Sequence, residues 1–124
     1  GIYEMLMKFS KYEAFNEIFV TENGAAFPDQ VIEGRVYDQK RMQYLERHIE
    51  QVLNARRDGV NVNGYFVWSL TDNFEWAEGF RPRFGLVYID YTTQKRIIKE
   101  SGFWYLKLIQ DFSENPTLLR NLGD

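Results

Sequence analysis

Apolar residues open the chain at helical spacing: Ile2, Met5, Leu6, Phe9 and Tyr12 share one face over residues 2–12. The pattern then changes. Glu17 to Thr21 gathers Ile18, Phe19 and Val20 into a short β-branched and aromatic run followed by Asn23-Gly24, which predicts a buried strand. Residues 25–37, with Pro28, Asp29 and Gly34, predict a long loop. Asp38 is placed to N-cap a helix running to about Arg57, with the stripe Met42, Leu45, Ile49, Val52 and Leu53, and Asp58-Gly59 to end it. Gly64 to Leu70 predicts a second buried strand. A polar and aromatic loop follows to about Arg83, then a short extended or hairpin-like stretch from Phe84 to Tyr91 and a turn at Thr92-Thr93-Gln94-Lys95. A last helix is expected from Arg96 to Phe112, burying Ile97, Ile98, Ser101, Trp104, Tyr105, Leu108, Ile109 and Phe112, with Asn115-Pro116 as its stop.

Two strands joined by a helix of this length make a βαβ unit, so the strands are expected to be parallel with a right-handed crossover. The order α-β-α-β-loop-α fits part of a (β/α) barrel. A whole one needs about 250 residues, and this chain has 124. Two parallel strands leave both outer edges unpaired, so a partner is expected to complete the sheet. The chain begins Gly1-Ile2-Tyr3-Glu4 without an initiator Met, directly in an amphipathic pattern. That is expected of an internal start, or of a tag scar ending in Gly.

Composition narrows the possibilities. The aromatic share of 17% is high, and aromatics serve both cores and carbohydrate clefts. The net charge of −3 argues against nucleic acid as a partner. With no cysteine there is no disulfide framework and no thiolate metal site, which is compatible with the expected cytoplasmic location. No long apolar segment predicts a membrane span. Asn115-Pro116-Thr117 is disqualified as a glycosylation sequon by its proline. No metal-ligand spacing, phosphate-cradling glycine loop or serine-nucleophile elbow is present, so neither metal nor cofactor is expected.

The chemistry-bearing residues cluster where the two strands end. The first closes on Thr21-Glu22-Asn23-Gly24. The second runs into Trp68-Ser69-Leu70-Thr71-Asp72-Asn73-Phe74-Glu75-Trp76. Sites of parallel α/β sheets lie at the carboxyl ends of the strands. Carboxylates and amides bind hydroxyls, and indole faces cover the C–H surface of a sugar ring. Alone, Glu22 reads as a carboxylate capping a loop and Trp68 as core packing; the two segments together favour a sugar site. Asp72 and Asn73 fit loop bracing, Glu78 and Arg83 fit loop structure or cleft polarity, and His48, within the long helix, fits a structural or surface role.

These two motifs, with Gly79 and Arg83-Phe84-Gly85, resemble the retaining β-glucosidases and 6-phospho-β-glucosidases of glycoside hydrolase family 1. The resemblance extends over nearly the whole chain, from the Tyr37-Asp38 helix start to Gly102-Phe103-Trp104-Tyr105. It implies the last two β/α units of a TIM (β/α)8 barrel, incomplete on its own: residues 1–124 as a single C-terminal fragment, with strand seven near 17–22 and strand eight near 64–70. It implies Glu22 as catalytic nucleophile, Trp68 as the floor under the sugar ring, Phe84 as cleft wall, Glu75 as acceptor of hydroxyl hydrogen bonds and Trp76 as indole N–H donor. Glu75 would repel a phosphate, so the expected substrate is a non-phosphorylated β-glucoside. The family's acid/base lies in an Asn-Glu-Pro motif, and none occurs here. Glu75 is a poor stand-in, because it sits five residues beyond the expected strand end among hydroxyl-binding types. The expected partners are a β-glucoside and the rest of the barrel or a second copy. The alternative is an inactive barrel fragment, a self-associating structural or weak sugar-binding module.

Overall fold

The apolar face at the start of the chain folds into helix α1 (Ile2–Phe9), followed by strand β1 (Ile18–Asn23), helix α2 (Gln39–Arg57) and strand β2 (Val62–Val67). A small hairpin, β3 (Val87–Ile89) and β4 (Arg96–Ile98), then leads into helix α3 (Glu100–Glu114). The computed structural model describes residues 1–12, 14, 16–73 and 82–114. β1 and β2 pair in parallel across the α2 crossover, as the βαβ pattern predicts. One face of this pair is dry: Leu6 of α1 and Val52 and Ala55 of α2 are buried with Val60 and Val62, and Ile18, Val20 and Tyr65 pack against them. Helices thus cover one side of the sheet. On its other side Phe19 and Phe66 stand exposed.

Helix α2 forms where the stripe places it, with Leu45, Val52 and Ala55 fully or nearly fully buried. Asp38 holds the N-cap position, but its carboxylate does not cap α2. It accepts instead from Arg41 and from the backbone N–H and hydroxyl of Ser101, which ties the start of α2 to the start of α3. Helix α1 is shorter than its stripe suggests: beyond Phe9 the chain closes with turns from Lys11 to Lys8 and from Tyr12 to Phe9.

The stretch 96–98, expected as the first turn of the last helix, is a strand antiparallel to β3. Ile97-Ile98 suits either element, and the preceding turn decides. The Asp90 carboxylate accepts the N–H groups of Thr92 and Thr93, and Asp90 N–H donates to Lys95 O, so the chain doubles back on β3. Those N–H groups hold the Asp90 carboxyl below its usual range. Of the expected buried side of α3, Ser101 is buried and Trp104, Tyr105 and Leu108 are half-buried, while Ile109 and Phe112 remain exposed because no other part of the described chain covers them.

Candidate active site

The carboxyl end of β1 is irregular in a way that determines where its side chains point. Val20 pairs with Tyr65 and Asn23 with Val67, so three steps on β1 match two on β2. The extra residue is a β-bulge at Thr21-Glu22. Alternation in a regular strand would set Glu22 beside Val20, against the helices. With the bulge, Asn23 takes the helix side: its Oδ1 accepts the Tyr65 hydroxyl at 2.5 Å and its Nδ2 donates to the Tyr44 hydroxyl of α2 at 3.5 Å. Thr21 and Glu22 are both exposed. The Glu22 carboxylate makes no hydrogen bond or ion pair among the described residues. A second bulge, on β2 at Asn63, lies between the Ile18–Val62 and Phe19–Gly64 pairs.

Trp68 follows β2 immediately, at the same end of the sheet. Its N–H donates to Asn23 O at 2.9 Å, which seats it one residue from Glu22 across the ladder. Gly24 is required by this contact: a Cβ there would stand 1.9 Å from the Trp68 carbonyl oxygen. Trp68 is 38% exposed. The next residue, Ser69, receives the chain that returns from the loop: its N–H points to Phe84 O at 3.4 Å and its O accepts Leu86 N–H at 3.0 Å. Half-buried Phe84 is thereby fixed beside the Trp68 segment. The structure therefore brings Glu22, Trp68 and Phe84 together at the carboxyl end of two adjacent parallel strands. Glu75, Trp76 and Glu78 lie outside the described residues.

Beneath this rim is a buried charge network that sequence reasoning missed as a unit. Arg41 binds Asp29 and Asp38, Lys99 binds Asp29 at 2.6 Å and Asp72 at 2.8 Å, and Arg83 binds Asp72 at 2.6 Å. Lys99 is completely buried and Arg41 nearly so. Three carboxylates and three cations balance, so no net charge is buried. Asp72 also accepts the N–H of Gly85, and Arg83 donates to Ile89 O while stacking over Tyr88 at 4.0 Å. Burial pushes the Arg41 guanidinium down, but its bonds and charges with Asp29, and then Asp38, outweigh this and hold it above its usual value. The network joins the loop after β1, the loop after β2, and the first turns of α2 and α3. Asp72 and Arg83 thus brace loops, as their residue types suggest. Arg41 carried a legible signal: it falls four residues before buried Leu45, on the apolar stripe of α2. Lys99 carried none, since it follows Ile97-Ile98 as an ordinary boundary residue.

His48 is structural. Its Nδ1 lies 2.8 Å from Tyr44 O, and its ring stacks on Tyr44 at 4.0 Å. The acidic residues form no metal-holding group among the described residues. No helix there is long and apolar enough to cross a membrane.

A family model described as Glycosyl hydrolase family 1 matches residues 1–113. The chain is 58% identical over 112 residues to a 1,4-beta-D-glucan glucohydrolase of Thermotoga neapolitana and 55% identical over 112 residues to Beta-glucosidase A of Thermotoga maritima, covering 90% of this chain in each case. It spans about a quarter of the length of these relatives, 25% of each. Among solved structures it is similar to a family 1 β-glucosidase from Thermotoga maritima in complex with isofagomine lactam, with a TM-score of 0.87 and 55% identity, over 89% of this chain and 25% of that one.

Proposed function

The chain belongs to glycosyl hydrolase family 1 and forms part of a (β/α)8 barrel, and from that premise we propose that it supplies the nucleophile and half of the glycone pocket of a retaining β-glucosidase. In this reading residues 1–124 are one C-terminal fragment, with β1 and β2 as the seventh and eighth barrel strands. The observation that carries the proposal is the pairing of an outward-turned Glu22 with Trp68 at the carboxyl ends of adjacent parallel strands.

The reaction runs in two displacements. A Glu22 carboxylate oxygen bonds to the anomeric carbon as the glycosidic C–O bond breaks, giving a covalent glycosyl–enzyme. The leaving oxygen takes its proton from a second carboxyl group, about 5–5.5 Å from the first in retaining enzymes. That acid belongs to the part of the barrel outside this chain. The same group then removes a proton from water, which attacks the anomeric carbon and frees Glu22. Trp68 supplies an apolar floor for the sugar ring and Phe84 a wall. Glu75 accepts hydrogen bonds from the far hydroxyls, and the Trp76 indole N–H donates to a neighbouring one. A carboxylate at position 75 disfavours a phosphorylated sugar by charge repulsion. Relatives described as β-glucosidases support a terminal β-glucosyl residue as the substrate.

The test is Glu22→Gln in the complete barrel that carries these residues. The amide keeps the shape and loses the attacking charge, so turnover of an aryl β-glucoside should drop by several orders of magnitude. A 2-deoxy-2-fluoroglucoside should label the peptide containing Glu22 in the parent. Near-normal turnover by Glu22→Gln, or a label on another peptide, would remove Glu22 from the role.

A further inference from the structure

We propose that Asn23 is a positioning residue for Glu22, held on the helix side of the sheet by Tyr65 and Tyr44 so that the bulge turns the neighbouring carboxylate to the open face. The inference rests on the reading of Glu22 as nucleophile and adds to it the part that aims it.

Four observations converge. The ladder gains its extra residue at Thr21-Glu22, immediately before Asn23. Bulges re-aim a side chain at the cost of one ladder hydrogen bond, and they persist where something holds them. Here both ends of one amide do so: Oδ1 accepts from Tyr65 and Nδ2 donates to Tyr44. An amide carries its acceptor and its donors on separate atoms, so it can hold the two tyrosines from its two ends. Asn23 O meanwhile accepts Trp68 N–H, so the same residue sets the spacing between nucleophile and floor. The two tyrosines are themselves fixed. Tyr44 stacks on His48, and Tyr65 packs against the core of α1 and α2. Burial, with the charges of Tyr105 and Tyr44, pushes the Tyr65 hydroxyl far up, so it remains a donor at any pH at which a glycosidase works. Released from these bonds, β1 can regain regular alternation, which would return Glu22 to the helix side.

The plain alternative is that the two hydrogen bonds only satisfy buried polar groups. In the complete barrel, Tyr65→Phe removes the donor to Asn23 without changing shape, and Asn23→Ala removes both bonds. The rate of Glu22 labelling by a 2-deoxy-2-fluoroglucoside, and kcat on an aryl glucoside, should fall roughly 10–100-fold, the scale of an ångström-sized misplacement of a reacting group. KM should hold. The double variant should cost no more than the worse single one, since both act through one contact. Parent-like labelling in Tyr65→Phe, or a rise in KM with kcat intact, overturns the proposal. Tyr65→Phe decides alone if Asn23→Ala does not fold. Failure of the underlying reading looks different: Glu22→Gln would stay active whatever Tyr65→Phe does.

Discussion

Glu22 can act as a nucleophile only if its carboxylate is aimed at the open face. The bulge and Asn23 govern its aim. The balance of charge below it depends on residues distant in sequence, and Lys99 is the most exposed to test. It is fully buried between Asp29 and Asp72 and donates to both. Lys99→Met keeps the length and the apolar stem but leaves two buried carboxylates short of a partner. Breaking a buried pair from one side costs about 3–5 kcal/mol, because the surviving charge is stranded. In the complete barrel the urea midpoint should fall by that free energy divided by the denaturant slope. An unchanged midpoint would mean that Arg41 and Arg83 suffice to hold the two aspartates.

At the scale of elements, the ends of β1 and β2 are held so close that one position tolerates no side chain. Gly24→Ala would place a Cβ 1.9 Å from the Trp68 carbonyl. The strands must then part at the site, so in the complete barrel Gly24→Ala should lose glucosidase activity while the core around Val52 and Val62 keeps its packing. Activity assays alongside far-UV circular dichroism would check this, and full activity would show that the strand ends have room to give. The same ends mark the limit of what the sequence reveals. Helix α2 and the parallel pairing were legible, because a long apolar stripe between two apolar runs admits few other arrangements. The bulges were not, since alternation read from sequence presumes a regular strand. β4 was misread because Ile97-Ile98 fits a helix face as well as a strand, and only the Asp90 turn chooses between them. Glu22 and Trp68 stood out through their motifs. The network of Asp29, Asp38, Arg41, Asp72, Arg83 and Lys99 did not, because its members come from separate loops and helix starts and meet only in three dimensions.

For the molecule as a whole, the open side of the sheet is the governing fact. Phe19, Phe66 and Leu70 stand 47%, 55% and 71% exposed, and Phe103, Leu106 and Ile109 of α3 are exposed as well. Apolar surface on this scale marks an interaction face or an aggregation hazard. β1 and β2 form a two-stranded sheet, so each has an outer edge without a strand partner among the described residues. Two occupants fit: the remaining strands and helices of the barrel, or a second copy of the chain. With the first, on the proposed reading, the molecule would gain an acid/base and the rest of the pocket. With the second, it becomes a self-associated module without one. Either way the 124-residue polypeptide by itself should be neither a monomer nor a glucosidase. The leaving oxygen would depart without a proton donor, and general acid assistance is typically worth about 10²–10⁴-fold. Substrate positioning by the missing strands would be lost too. Purified free of other polypeptides, the chain should run larger than one copy in sedimentation and leave an unactivated β-glucoside intact. Adding the rest of the barrel should restore hydrolysis and abolish self-association, because both use the same open face. A monodisperse monomer that hydrolyses the glucoside would overturn this account and require an acid within these residues, with Glu75 the first to replace.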